Sequence, residues 1–390
     1  MIGNRRALVV SFTELLVDPR IRREIDWLRG DGWTVDTLGL GSRPDESVRT
    51  HYAMSDEPAA VRPRLVKGGI HAVLPFRARF RLLVESRIPA ALRRTRHAYE
   101  LILINDIDLL PWAVDAIPNL LSDAPGAAAH LDLHEYHSWA GGHGAVTDRL
   151  LAGYHRWMTG LLASPVFATR STVASGIARL YAEEFGIPEP FIVRNSPAYV
   201  DQTPQPVDPE HIRLVYHGNA ELARGLTLLV EAFAALAPRF HLTLMLTGLQ
   251  SGKDELRRLT ADLGDRVTFR DPVPMAEVAR ALNGYDLEVI FYPPSSPNFL
   301  YSLPNKFFEA VQGRIGVVVG ESPSMAEIIA EMGNGVVVTT GWAAADLTAG
   351  LSALTAQAIS RMKEGAGIAA ASLNSERERE AFLGGIGQRT

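Results

Sequence analysis

Lys306 and Glu309 stand three apart in SLPNKFFEAVQGRIGVVVG, residues 302–320. That spacing places both on one face of a helix. Leu303, Phe307, Phe308, Ala310 and Val311 form the apolar remainder, Ser302 suits a cap, and Pro304 suits the first turn. As a surface ion pair the two charges contribute roughly a few tenths of a kcal/mol. As a ligand clamp they do more. The helix N-terminus and Lys306 meet a phosphate, while Glu309 accepts from two hydroxyls of a ribose.

Other residues offer related chemistry. In VYHGNAELARG, Gly218 closes a strand, and Arg224–Gly225 opens a helix. Backbone amides and an arginine fork there favour an anion, although a plain strand–helix turn has the same look. Asp106 and Asp108 in DID follow a strand, as do His134 and Glu135 in DLHEY. Two acids after a strand more often line a polar site or cap a helix than hold a metal. His137 and His143 lie nearby, but no H-x3-H pattern with carboxylates accompanies them, so no metal site is expected.

These residues need strands that end together. RALVVSF (6–12) reads as a buried strand, DPRIRREIDWLRGDGW as a helix with Ile21, Ile25 and Leu28 on one face, and TVDTLGL as a second strand. The rhythm returns at ELILIND (100–106) and AAHLDLHEY (128–136), with a helix at 111–121 and helical stretches near 149–162 and 172–185. PFIVRNSPAY (190–199) adds a strand and turn. SPAYVDQTPQPVDPE carries several prolines and reads as a linker. After it come IRLVYHGN, FHLTLMLTG, RVTFRDPVP, DLEVIFYPP, IGVVVGE and NGVVVTT, strands separated by helices. The Ala-rich stretch beginning GLSALTAQ reads as helix. Strand–helix alternation predicts parallel sheets, hence an α/β fold of two doubly wound Rossmann-like domains. The expected divisions are 1–200, a linker at 201–210, 211–365, and a helical tail at 366–390 that packs back on the first domain.

With 390 residues, 47% hydrophobic and 21% charged, the chain is an ordinary globular one. A net charge of -5 argues against a nucleic-acid partner, and the lack of cysteine excludes disulfides, thiolate nucleophiles and zinc–cysteine sites. No signal sequence or long apolar span stands out, so a cytoplasmic protein is expected. Between Arg62 and Arg96, ten Lys/Arg face one acid, Glu85. Such a stretch is either a solvated helix face or a peripheral contact with an anionic membrane or substrate at the inner membrane face.

Taken in order, these motifs resemble the retaining GT-B glycosyltransferases of family 4, the group 1 glycosyl transferases. GNAELARG (218–225) has the spacing of that family's G-R-x4-K-G loop, with Asn219 and Arg224 at its basic positions. SLPNKFFE resembles a variant of its glutamate signature, with Tyr301 where a first glutamate would stand. LINDIDLLPWA, DLHEYHSW and FIVRNSP resemble its N-terminal segments. The usual Gly-rich loop after the first strand is replaced by SFTELLVDPR. The resemblance implies two domains facing across a cleft and metal-independent transfer from a nucleotide diphosphate sugar, with UDP or GDP as the nucleotide. That sugar is a co-substrate, and no cofactor is needed. It implies catalytic roles for His134, Arg224 and Glu309. Donor contacts would come from Gly218, Asn219, Arg224, Asp271, Val273, Ser302, Leu303, Asn305, Lys306 and Glu309, and acceptor contacts from Asp106, Asp108 and Glu135. A glycan, a lipid-linked sugar or a small natural product would accept. A nucleotide-sugar epimerase of the same build and a catalytically silent sugar-nucleotide binder remain open alternatives.

Overall fold

The computed structural model describes residues 5–56, 74–137, 145–222, 225–291, 293–339 and 341–387. The chain forms two compact units, one of Met1–Val193 with Arg379–Thr390, the other of Arg194–Glu378.

The first unit holds a parallel sheet of β1 (Arg6–Glu14), β2 (Thr34–Leu40), β3 (Thr50–Ala53), β4 (Leu101–Asn105), β5 (Ala128–Leu133), β6 (Phe167–Thr172) and β7 (Phe191–Ile192). Their spatial order is β3-β2-β1-β4-β5-β6-β7. The second unit holds β8 (Ile212–Asn219), β9 (Phe240–Thr247), β10 (Val267–Arg270), β11 (Leu287–Ile290), β12 (Gly316–Val319) and β13 (Gly335–Val337), in the order β10-β9-β8-β11-β12-β13. Strand order reverses between β1 and β4 and again between β8 and β11. Ligands of such sheets sit outside the carboxyl ends of the strands at these reversals.

The helix Pro19–Gly30 illustrates how local sequence sets an element. The Asp18 carboxylate accepts from the amides of Arg20 and Ile21, and Pro19 occupies the first turn. Ile21, Ile25, Trp27 and Leu28 then pack with β1, β2 and Phe382. The helix Asn305–Gln312 begins differently. Pro304 is its cap residue and offers no side-chain acceptor. Ser302, expected as the cap, instead donates its hydroxyl to Phe299 O at 2.9 Å. A short turn of helix at Pro297–Leu300 precedes it, and Ser302 closes that turn.

β3 and β6 carry no apolar periodicity, so the sequence reading passed over both. Within FATRST, Arg170, Ser171 and Thr172 are buried because their polar side chains find partners. Arg170 donates to Leu162 O at 3.0 Å and to Ser164 O at 3.0 Å, and Thr172 donates to Leu133 O at 2.7 Å. The helix read from residue 172 accordingly begins at Ser175.

The Pro-rich stretch has neither helix nor strand, but it is fastened along the second unit. Val200 N donates to Gln312 Oε1 at 3.0 Å, and Arg314 Nη2 donates to Val200 O at 2.6 Å. Gln202 donates to Gln312 O at 2.6 Å and to Ala279 O at 3.0 Å. Gln312, fully buried, also donates to Ala370 O and Leu373 O. The stretch is therefore a strap rather than a free linker. The Ala-rich region forms helices Ala344–Ser352, Ala356–Ala369 and Ser375–Gly387, the last running from the second unit into the first.

Candidate functional site

Each unit assembles a histidine between carboxylates at the reversal of its strand order. In the second unit, His217 lies near the end of β8. Its Nδ1 is 2.9 Å from Glu288 Oε2 on β11, and its Nε2 is 2.8 Å from Glu309 Oε2. Both ring nitrogens face carboxylate oxygens, so a fully satisfied ring carries two protons. Burial disfavours that charge, but Glu288 and Glu309 outweigh it and push His217 up to about 9. Glu309 keeps partial contact with solvent, and no described donor holds its Oε1.

Lys306 and Glu309 are not a solvated pair. Lys306 is 9% exposed and lies over the Tyr216 ring, with its Nζ 3.7 Å from the centroid. A Cβ on Gly218 would stand 3.4 Å from that Nζ, and Gly218 has a φ of +123°, so glycine is required by the backbone there. Asn219 is exposed and turns its amide over Gly248, where a Cβ would meet Asn219 Oδ1 at 1.9 Å. Leu303 is buried, and Asn305 opens the helix. Asp271 and Val273 follow β10, and Asp271 lines a crevice with Lys253, Arg257 and Arg270. Arg224 lies outside the described residues; Gly225, beside it, opens the helix Leu226–Ala234 with a φ of +76° and no side-chain cap.

In the first unit, Asp132 on β5 is the hub. Arg20 reaches it with Nε at 2.6 Å and Nη2 at 2.7 Å, and gives Nη1 to Val193 O at 2.8 Å. Ser171 donates to the same carboxylate, and His134 Nε2 lies 2.9 Å from it. Burial opposes ionisation of Asp132, yet Arg20 and His134 hold its carboxyl well below the usual range. His134 continues to Asp106, whose Oδ1 accepts the His134 amide at 3.0 Å and His137 Nε2 at 3.1 Å. Burial lowers and Asp106 with Asp132 raises His134, with a net rise to about 9. Asp106 itself sits at a φ of +59°, in the left-handed region. Asp108 is exposed, and its carboxyl is raised by the surrounding protein and then by Asp106. Glu135 is exposed, and its carbonyl accepts from Tyr181 Oη at 2.7 Å.

Glu24 is fully buried beside this hub, with its oxygens accepting no hydrogen bond from the described residues. Burial first, then Asp132, push its carboxyl well above the usual range. Ligand atoms of Glu24, Asp132 and His134 lie within 4.8 Å of one another. Arg20 already supplies the cation at this place, 3.7 Å from Glu24 and bidentate on Asp132, so the donor set suits a guanidinium rather than an added metal.

The structure thus brings His134 to Asp106, and places Lys306 beside Gly218 and Glu309, on the same helix, against His217. Sequence reasoning missed Arg20, Glu24, Asp132, His217 and Glu288. Their signal was present: an Arg and a Glu four apart on the apolar face of the first helix, and single charges inside LVYHGN and DLEVI. The basic stretch is only partly available for docking. Its members at 62, 64 and 67 lie outside the described residues, as does His143. Arg79 is buried with its Cζ 3.7 Å over Tyr154, and Arg87 donates to Ser55 O at 2.6 Å. Arg93, Arg94 and Arg96 remain exposed.

Residues 211–357 match the family described as glycosyl transferases group 1. No curated protein sequence matches. Among solved structures, sucrose-phosphate synthase from Thermosynechococcus elongatus shares 14% identity over 97% of this chain and 98% of its own, with a TM-score of 0.68. A glycosyltransferase from Rickettsia africae ESF-5 shares 12% identity over 98% of each chain, with a TM-score of 0.65. Anabaena Alr3699/HepE, in complex with UDP and glucose, shares 14% identity over 97% and 98%, with a TM-score of 0.64. Two parallel-sheet units, these fold neighbours and the matched segment together identify a glycosyltransferase of GT-B fold, with a group 1 glycosyl transferase domain at residues 211–357.

Proposed function

We propose that the chain transfers a sugar from a uridine or guanosine diphosphate sugar, without a metal and with retention at the anomeric carbon, as family 4 enzymes do. One observation carries the reading: Glu309, at the strand-order reversal, is gripped through Oε2 by His217, and no described donor holds its Oε1. A carboxylate so held suits paired ribose hydroxyls. Gly218 lets a diphosphate approach the backbone closely, and Lys306 is its nearest described cation. The helices from Leu226 and Asn305 both start without a side-chain cap, so their first amides suit the same anion. Arg224 adjoins the first of them in sequence. These groups favour the charge that grows on the departing diphosphate, which is the service a metal would otherwise give.

In the transfer, the bond from the anomeric carbon to the diphosphate oxygen breaks, and a bond to the acceptor oxygen forms. The acceptor proton passes to the departing diphosphate. The complexes of HepE with UDP and with UDP-glucose favour uridine as the nucleoside. Asp106, Asp108 and Glu135 are assigned to the acceptor, which is a glycan, a lipid-linked sugar or a small natural product. No helix among the described residues is long and apolar enough to cross a membrane. Exposed Arg93, Arg94 and Arg96 support peripheral contact with an anionic inner-membrane face, which co-sedimentation with anionic vesicles would test.

The deciding experiment measures nucleotide release from a panel of uridine and guanosine diphosphate sugars with mixed acceptors, for the wild type and Glu309→Ala. Release only with an acceptor, lost at least a hundredfold in the variant, supports the reading. Turnover of the donor without an acceptor would indicate epimerisation, and near-normal transfer by the variant would sink the site assignment.

A further inference from the structure

β8 and β11 are paired neighbours only in part. Their register runs through Leu287 with Leu214 and Glu288 with Val215. Beyond that pair the strands no longer exchange backbone bonds, whereas β8 stays paired with β9 through Asn219. The His217 amide then turns to a side chain: it donates to Glu288 Oε1 at 3.3 Å. The other oxygen of Glu288 takes the ring Nδ1 of the same residue. Glu288 therefore fixes both the backbone and the ring of His217.

Glu288 is fully buried in a strand whose other members are Leu287, Val289 and Ile290. Leu287 and Val289 face the core that includes Leu229 and Phe233, so Glu288 points from the opposite face. An ionised carboxylate there gives up its hydration and has to be paired in return. A leucine would fill the strand without that cost. What a leucine could not do is hold an imidazolium. A neutral ring has one N–H and cannot donate to two ionised carboxylates; between such partners His217 needs both protons.

We infer that Glu288 is a positioning residue for nucleotide binding: through doubly protonated His217 it fixes the Glu309 carboxylate for the ribose hydroxyls. The inference rests on the ribose role of Glu309 proposed above. Glu288 faces His217 from β11, and Glu309 faces it from the helix Asn305–Gln312. Lys306, from that same helix, lies over the preceding Tyr216. A carboxylate that accepts through Oε2 keeps its other oxygen as an acceptor for hydroxyls. Loss of the His217 proton leaves two carboxylates competing for one N–H and frees Glu309 to turn.

The test compares affinities for UDP and GDP with those for their 2′,3′-dideoxy forms, in the wild type, Glu288→Gln and Glu309→Ala, across pH 6–10. A hydrogen bond to a charged group gives a preference for the ribose forms of roughly tenfold to a hundredfold. That preference should vanish in Glu309→Ala. In Glu288→Gln it should fall to a few-fold, and its alkaline decline should move to lower pH, with the melting temperature reported alongside. Full preference and an unmoved pH profile in Glu288→Gln would overturn the inference while leaving the ribose clamp intact. Preference retained in Glu309→Ala would overturn the clamp, and the inference with it. A variant-free arm covers misfolding: nitrogen NMR of His217 should show both ring nitrogens protonated at pH 7.5, and a neutral ring there refutes the inference by itself.

Discussion

Replacing Arg20 by methionine should unbalance the first unit more than any exposed substitution in this chain. The arginine is buried, with three hydrogen bonds of 2.6–2.8 Å to Asp132 and Val193 O. Methionine matches much of its length but supplies no donor. Asp132, fully buried, would then keep Ser171 and His134 as its partners among the described residues. Breaking a buried pair from one side costs about 3–5 kcal/mol. Part of that returns if Asp132 binds a proton, so a net loss of about 3 kcal/mol is the working figure, with partial recovery at low pH. Urea denaturation followed by tryptophan fluorescence reads it through Trp27, which packs in this unit. The unfolding midpoint of the first unit should fall with its slope unchanged, and that of the second unit should stay. A loss below about 1 kcal/mol, on the scale of an exposed pair, would refute the claim that Arg20 neutralises this cluster.

Glu24→Gln should do the reverse. The Glu24 carboxyl is raised on folding, so the folded state binds a proton that the unfolded chain gives up above about 4.5. Wild-type stability therefore declines as pH rises from the unfolded value toward the raised folded one, and the amide should remove that decline and gain stability near pH 8. His217 and His134 add a second slope of the same sign: raised to about 9, they contribute fully below about 6.5 and lose the contribution as pH climbs through 9. Calorimetric melting from pH 6 to 10 should show it, and a flat profile would contradict the charged networks. Gly218→Ala should cost about 1–3 kcal/mol for an L-residue forced to a φ of +123°, and weaken nucleotide binding in calorimetry. An alanine variant binding as tightly as wild type would remove the need for close backbone approach.

The sheets were legible because parallel strands buried on both faces write themselves as apolar runs, as in LVV, LILI and GVVV. FATRST was illegible for the opposite reason. Its burial depends on Arg170 and Thr172 finding carbonyls that belong to other segments, and no periodicity reports that. The site divided along the same line. Lys306 and Glu309 announced themselves by spacing and a neighbouring proline. Glu288 and His217 lie 71 positions apart, and Arg20 and Asp132 lie 112 apart. Only the reversal of strand order makes them neighbours, so single charges in apolar strands were the sole trace. Ser302 was misassigned as a cap because the extra turn at Pro297–Leu300 is too short to show in a pattern.

The helix Ser375–Gly387 sets a timetable for synthesis. Phe382 and Ile386 belong to the core of the first unit, where Phe382 packs 5.6 Å from Trp27 and 5.9 Å from His130. Gly385 is pressed so closely on Phe191 that a Cβ would stand 2.3 Å away. These residues emerge only after the whole of Arg194–Glu378 has been made. At roughly 5–20 residues per second, the wait is on the order of 10–40 seconds. During that interval Trp27, Phe191 and the ring of His130 lack their lid. The second unit has all its strands before the first can close, so the nascent chain carries an apolar notch that a holding chaperone, or a neighbouring nascent chain, has time to find.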